Sequence, residues 1–137
     1  MNRNVSFCSN CNKEVAPSIS LKEEEALIKG EKVIYQKEYR LCSSCHQELD
    51  SKDLKRKNMI ACSDVYKARH SLLTASEIVG IRKGLGLSGT KFGLLLGLGE
   101  KTITRFENGD IQSKEIDNLI RLAKLPGNVR LLKKWSH

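Results

Sequence analysis

A chain of 137 residues can form one ordinary domain or two small ones, and is too short for a substrate domain beside a large cofactor domain. With 39% hydrophobic and 29% charged residues it reads as a soluble protein with a modest core, and only 5% aromatic content means that neither half buries much by itself. The net charge of +8 is uneven: residues 1–70 carry 13 Lys/Arg against 10 Asp/Glu, and residues 71–137 carry 11 against 6, so the second half is better suited to a phosphate-rich partner.

The first residues, "MNRNVSFCSN", hold no apolar run of signal-peptide type, and no stretch nears transmembrane length. A cytoplasmic location without membrane association is expected. In a reducing compartment the five cysteines are not expected to form a disulfide framework.

Two Cys-x-x-Cys pairs, Cys8/Cys11 and Cys42/Cys45, flank the runs "SISLKEEEALIK" and "EKVIYQKEYRL", with Gly30 between them for a tight turn. This predicts a β-hairpin whose outer ends bring the pairs together. A connecting helix follows over "DSKDLKRKNMIACSDVYKARH", where Leu54, Asn58, Ile60, Ala61 and Val65 give a ragged apolar stripe and Cys62 stands unpaired, with no function assigned.

Helical punctuation then becomes dense. Thr74 and Glu77 make a capping box before Ile78, Ile81 and Leu85, and Gly84 is read as the end of that helix. Ser88 caps a second helix with Phe92, Leu95 and Leu96 inward; Gly97 breaks it. A third helix, Glu100 to Phe106, stops at Asn108-Gly109. A fourth starts near Ser113, with Ile116, Leu119, Ile120 and Ala123 inward, and Pro126-Gly127 is read as its end. A last short helix offers Val129, Leu132 and Trp135 to the core.

"CSSCH", residues 42–46, admits three chemistries. Haem attachment requires export, and a thioredoxin-like pair opens a helix in a βαβ fold without a second pair. Two pairs around a hairpin instead suit four thiolates on one structural zinc at about 2.3 Å, with rubredoxin-like iron and His46 as a substitute ligand the remaining options. Asn12 and His46, each following a pair, tolerate the left-handed backbone such a knuckle needs.

"GLGLSGTK", from Gly84, imitates phosphate-binding loops, but it follows a helix rather than a strand and Thr90 separates the last Gly from Lys91. The better fit is a helix-turn-helix, with the helix from Ser88 to Leu96, the turn Gly97 to Gly99 and the helix from Glu100. Ile103 and Phe106 anchor the latter, leaving Lys101, Thr102, Thr104 and Arg105 for base edges, while Ser88, Lys91 and Asn108 lie where helix ends approach phosphates. With three histidines and no acid, base and nucleophile grouping, no enzymatic activity is expected.

Laid end to end, "CSNC", "CSSC", "HSLLTASEIVGIRK", "LLLGLGEKTITRFENG" and "DNLIRLAKLPGNVRLL" resemble the MqsA-type antitoxins, which join an N-terminal zinc domain to an Xre/Cro-type helix-turn-helix domain. The resemblance implies a homodimer joined through the C-terminal domain and bound to a palindromic operator. It also implies repression of its own operon and a zinc domain available to a toxin, typically an mRNA-cleaving ribonuclease. The family's base-reading positions fall on Lys101 and Arg105; an Asn commonly stands at the former. The competing expectation is a free-standing repressor of a phage or mobile element. The fold expected is α+β in two domains: a small zinc-ribbon-like β-hairpin domain with its connecting helix over residues 1–66, then an all-α, five-helix helix-turn-helix domain over 67–137.

Overall fold

The computed structural model describes residues 5–136, so the ends of both predicted domains, residues 1–4 and 137, lie outside the described residues. The chain divides between Cys62 and Ser63 into two compact units, giving the α+β layout expected from the sequence. None of its described helices is long and apolar enough to cross a membrane.

In the first unit, β1 (Ser6–Cys8) and β2 (Lys13–Val15) form an antiparallel ribbon. Then β3 (Pro17–Ile28) and β4 (Glu31–Cys42) pair from Pro17 against Cys42 to Ile28 against Glu31. The reversal is made by Lys29 and Gly30, both at positive φ (51° and 80°), a backbone hand that matches the twist of the strands it joins. Short β5 (Glu48–Leu49) adds to β4 through Arg40 and Leu41, so the strand order is β3-β4-β5 and β3 is an edge.

Helix α1 (Lys52–Arg69) follows; its first turn is capped by the Ser51 hydroxyl, which accepts from Leu54 N at 3.1 Å. Asn58 of this helix does for β4 what a further strand would do. Its side chain accepts from Glu38 N (2.9 Å) and donates to Glu38 O (3.1 Å). The Glu38 carboxylate is buried between Lys57 and Arg40, each at 2.7 Å, and these hydrogen bonds hold its pKa below the ordinary value. Cys8, Val15, Cys42 and Leu49 make the small core of the cysteine end.

The second unit takes the end of α1, from Ser63 onward, and five further helices: α2 (Ala75–Gly84), α3 (Gly89–Leu95), α4 (Thr102–Glu107), α5 (Lys114–Ala123) and α6 (Pro126–Trp135). The Thr74–Glu77 capping box is formed, and Ser88 and Ser113 cap α3 and α5 by accepting from Lys91 N and Ile116 N. Leu73, Ile78, Phe92, Leu96, Ile103, Phe106, Ile120 and Ala123 form one core.

Three expectations need correction. The third predicted helix starts at Thr102, not Glu100: Lys101 is its N-cap residue and offers no side-chain acceptor, while Thr102 N turns back to Gly99 O at 3.3 Å. Pro126 opens α6 instead of closing α5, because a proline at the first helical position forfeits no hydrogen bond. Trp135 is exposed on the last turn of α6, while Val129 is buried and Leu132 packs against the core.

Candidate metal centre and nucleic-acid interface

The four cysteines reach one point from two turns. Cys8 Sγ lies 3.6 Å from Cys45 Sγ and Cys11 Sγ lies 3.8 Å from Cys42 Sγ, with all four sulfurs within 4.8 Å of one another. A tetrahedron with metal–sulfur bonds of about 2.3 Å has edges of about 3.8 Å, so this donor set can hold one metal ion with no open coordination position. Backbone N–H groups point at the sulfurs, from Cys11 to Cys8 Sγ (3.5 Å) and from Ser44 to Cys42 Sγ (3.4 Å). Hydrogen bonds set the thiols apart in acidity. The Asn10 side chain is the main influence that brings Cys45 down to about 6; the N–H of Cys45 lowers Cys42; and Cys11 is pushed up to about 12, first by its bond with Cys45.

The turn residues take the backbone role read from sequence. Asn12 and His46 have φ of 53° and 63°, and His46 N donates to Cys42 O at 2.8 Å. The histidine that imitates a haem signature is thus spent on the turn, and among the described residues the candidate ligand group is the four cysteine sulfurs. Cys62 stands apart from them, half-buried, with its thiol pushed up by burial.

In the second unit, α3 and α4 cross where Gly93 faces Gly99: a Cβ on Gly93 would lie 2.8 Å from Gly99 O, so only glycine permits the approach. The Leu98 N–H bonds back to Gly93 O at 2.8 Å and closes the connection. With Ile103 and Phe106 buried, α4 presents Thr104 and Arg105 to solvent, and Lys101 is exposed just before it. Ser88 and Lys91 are exposed at the start of α3. Two residues expected on the open face are less available. Thr102 is half-buried with its hydroxyl toward Gly99, and Asn108 is half-buried after the last turn of α4. Thr104, though exposed, leans its hydroxyl over Gly89.

Residues 80–133 match the helix-turn-helix family model. The chain therefore carries a helix-turn-helix DNA-binding domain, beginning inside α2 and ending inside α6, beside a cysteine cluster able to bind a metal ion. No curated protein matches the chain.

The C-terminal end of α4 in this helix-turn-helix domain is held by polar groups that sequence reasoning missed. Arg82 of α2 forms a two-pronged ion pair with Glu107, both contacts 2.9 Å, and donates to Leu87 O at 3.1 Å; the pair is largely buried and raises the Arg82 pKa. From α1, Lys67 Nζ donates to Phe106 O at 3.0 Å and the Ser63 hydroxyl donates to Gly109 O. Lys67 is fully buried; burial lowers its pKa, opposed by the carboxylates of Asp64, Asp110 and Asp117. An apolar-periodicity search passes over all of these. The available signal was the spacing of Ser63 and Lys67, four apart on α1.

Proposed function

We propose that this protein is a cytoplasmic antitoxin of a type II toxin–antitoxin system, a homodimer that binds a palindromic operator, represses its own operon and neutralises a toxin through its zinc domain. The observation that carries this reading is the combination, in one short chain, of a closed four-cysteine cluster and a helix-turn-helix domain. Zinc is the metal that four thiolates in a closed tetrahedral arrangement suit best. A saturated site of this kind stabilises a small fold and offers no position for a substrate, so the protein is assigned no enzymatic role.

Lys101 and Arg105 are the base-reading residues, with Thr102 and Thr104 beside them; Ser88, Lys91 and Asn108 meet phosphates. Exposed Leu122, Leu125, Leu131 and Trp135 on α5, α6 and their junction supply apolar surface for a homodimer through the C-terminal domain. The toxin, an mRNA-cleaving ribonuclease in this reading, would meet the hairpin, where Glu23, Glu24 and Glu25 form an acidic run. A free-standing repressor of a phage or mobile element is the second reading. The net charge of +8 favours it, because a basic chain is poorly matched to a basic ribonuclease.

Purification of the tagged protein from its own host separates the two. A small ribonuclease retained in stoichiometric amount, inhibited by the full chain and lost on deletion of residues 1–62, is the expected result. A dimer carrying only zinc and DNA would establish the free-standing repressor. For the DNA assignment, Arg105→Ala should cost roughly 1–3 kcal/mol on the preferred duplex and relax one base pair, while Lys91→Ala should weaken all sequences alike and flatten the salt dependence. Equal effects of both variants on preferred and random DNA would refute the assignment.

A further inference from the structure

We infer that Lys67, assisted by Ser63, is a positioning residue for base recognition, acting through Arg105 by fixing the C-terminal turn of α4. The inference rests on the assignment of α4 as the helix that reads DNA.

Helix α4 has six residues and no side-chain cap at its start, so its own hydrogen bonds do little to fix its direction. At its other end the carbonyls are unevenly served. Arg105 O accepts from Asn108 N (3.1 Å) and Asp110 N (2.9 Å), whereas within the turn Phe106 O receives a long bond from Gly109 N (3.5 Å) and a share of the Asn108 N–H. The Lys67 ammonium supplies the closer donor, at 3.0 Å, and Ser63 holds Gly109 O three residues on. The Phe106 carbonyl lies one peptide beyond Arg105, so holding it fixes the last turn of α4, on which Arg105 is carried. A cation at a helix C-terminus also complements the helix dipole.

Volume alone does not account for Lys67. An unbranched apolar side chain of the same length would fill the site without the cost of burying an ammonium. What only the ammonium provides is a directional bond to one carbonyl, and the carboxylates of Asp64, Asp110 and Asp117 favour its charged form. Fully enclosed, Lys67 cannot itself touch a phosphate.

The test uses the full chain and the duplex that it enriches from a random-sequence pool. The ratio of affinities for that duplex and for random duplex is measured for wild type, Lys67→Met, Arg105→Ala and the double variant, with the melting temperature of each. Lys67→Met should lower the ratio on the order of tenfold while the variant stays folded, with a lower melting temperature because Phe106 O loses its close donor, and the double variant should lose no more than Arg105→Ala alone. An unchanged ratio, or losses that multiply in the double variant, would overturn the inference while leaving DNA reading by α4 in place. If Lys67→Met does not fold, Ser63→Ala enters the same cycle with the same expected sign and the same overturning outcomes. A wild type without preference for any duplex, or an Arg105→Ala variant with an unchanged ratio, removes the α4 assignment and the inference with it.

Discussion

Asp117 is buried in α5 and accepts from Leu73 N (2.8 Å), Gln112 Nε2 (3.1 Å) and Arg121 Nε (2.7 Å). Burial by itself would raise its pKa; the bonds from Arg121, Leu73 and Gln112 outweigh that and leave it below the ordinary value. The contribution to stability is therefore complete above the ordinary carboxylate range and is lost as pH falls through the lowered value. Asp117→Asn should cost about 2 kcal/mol in denaturant unfolding at neutral pH, with the gap from wild type narrowing in acid. Nothing local in the sequence marks Asp117 as buried. It sits beside the apolar positions Ile116 and Ile120, and its partner Leu73 is 44 residues away. The two cysteine pairs and the left-handed residues after them were legible because the constraints on each pair operate within five residues.

At the scale of elements, the hairpin and the capped starts of α2, α3 and α5 could be read directly, since turn and cap chemistry is local. Helix α1 was harder for a definite reason. Its covered positions change face along the helix: Leu54 and half-buried Asn58 share one face, Ser63 and Lys67 share another two and a half turns on, and three of the four are polar, so apolar periodicity gives only a ragged stripe. The same locality explains Pro126: Pro-Gly after an apolar run reads as a stop, although in this chain it starts the next helix. The crossing of α3 and α4 yields a further expectation. Gly93→Ala would bring a methyl against the backbone oxygen of Gly99, which has no flexible end to move aside. A loss of about 1–3 kcal/mol is expected by thermal melting, with a parallel loss of DNA affinity as α4 is pushed away from α3.

For the whole molecule, the two units draw stability from different sources. The helical unit has a continuous apolar core, whereas the cysteine end of the first unit has a core of Cys8, Val15, Cys42 and Leu49 and little more. A bound metal would contribute on the order of 10 kcal/mol there. Cys42→Ser should therefore unfold the hairpin region and leave the helices from α2 onward intact, seen as loss of the dispersed β-strand amide signals with most helical circular dichroism retained. Simultaneous loss of both, or of neither, would contradict this division of stabilities.

Among the described strands, β3 lies at the margin of its sheet, its twelve residues paired with β4. Such a margin is a template on which another copy of the same strand can zip, the first step of aggregation. Two copies meeting in antiparallel fashion around Glu24 would set Glu23 against Glu25 and Glu24 against itself. Like-charge repulsion thus opposes such pairing, and because salt screens that repulsion, the resistance of this edge to self-pairing is expected to fall as ionic strength rises.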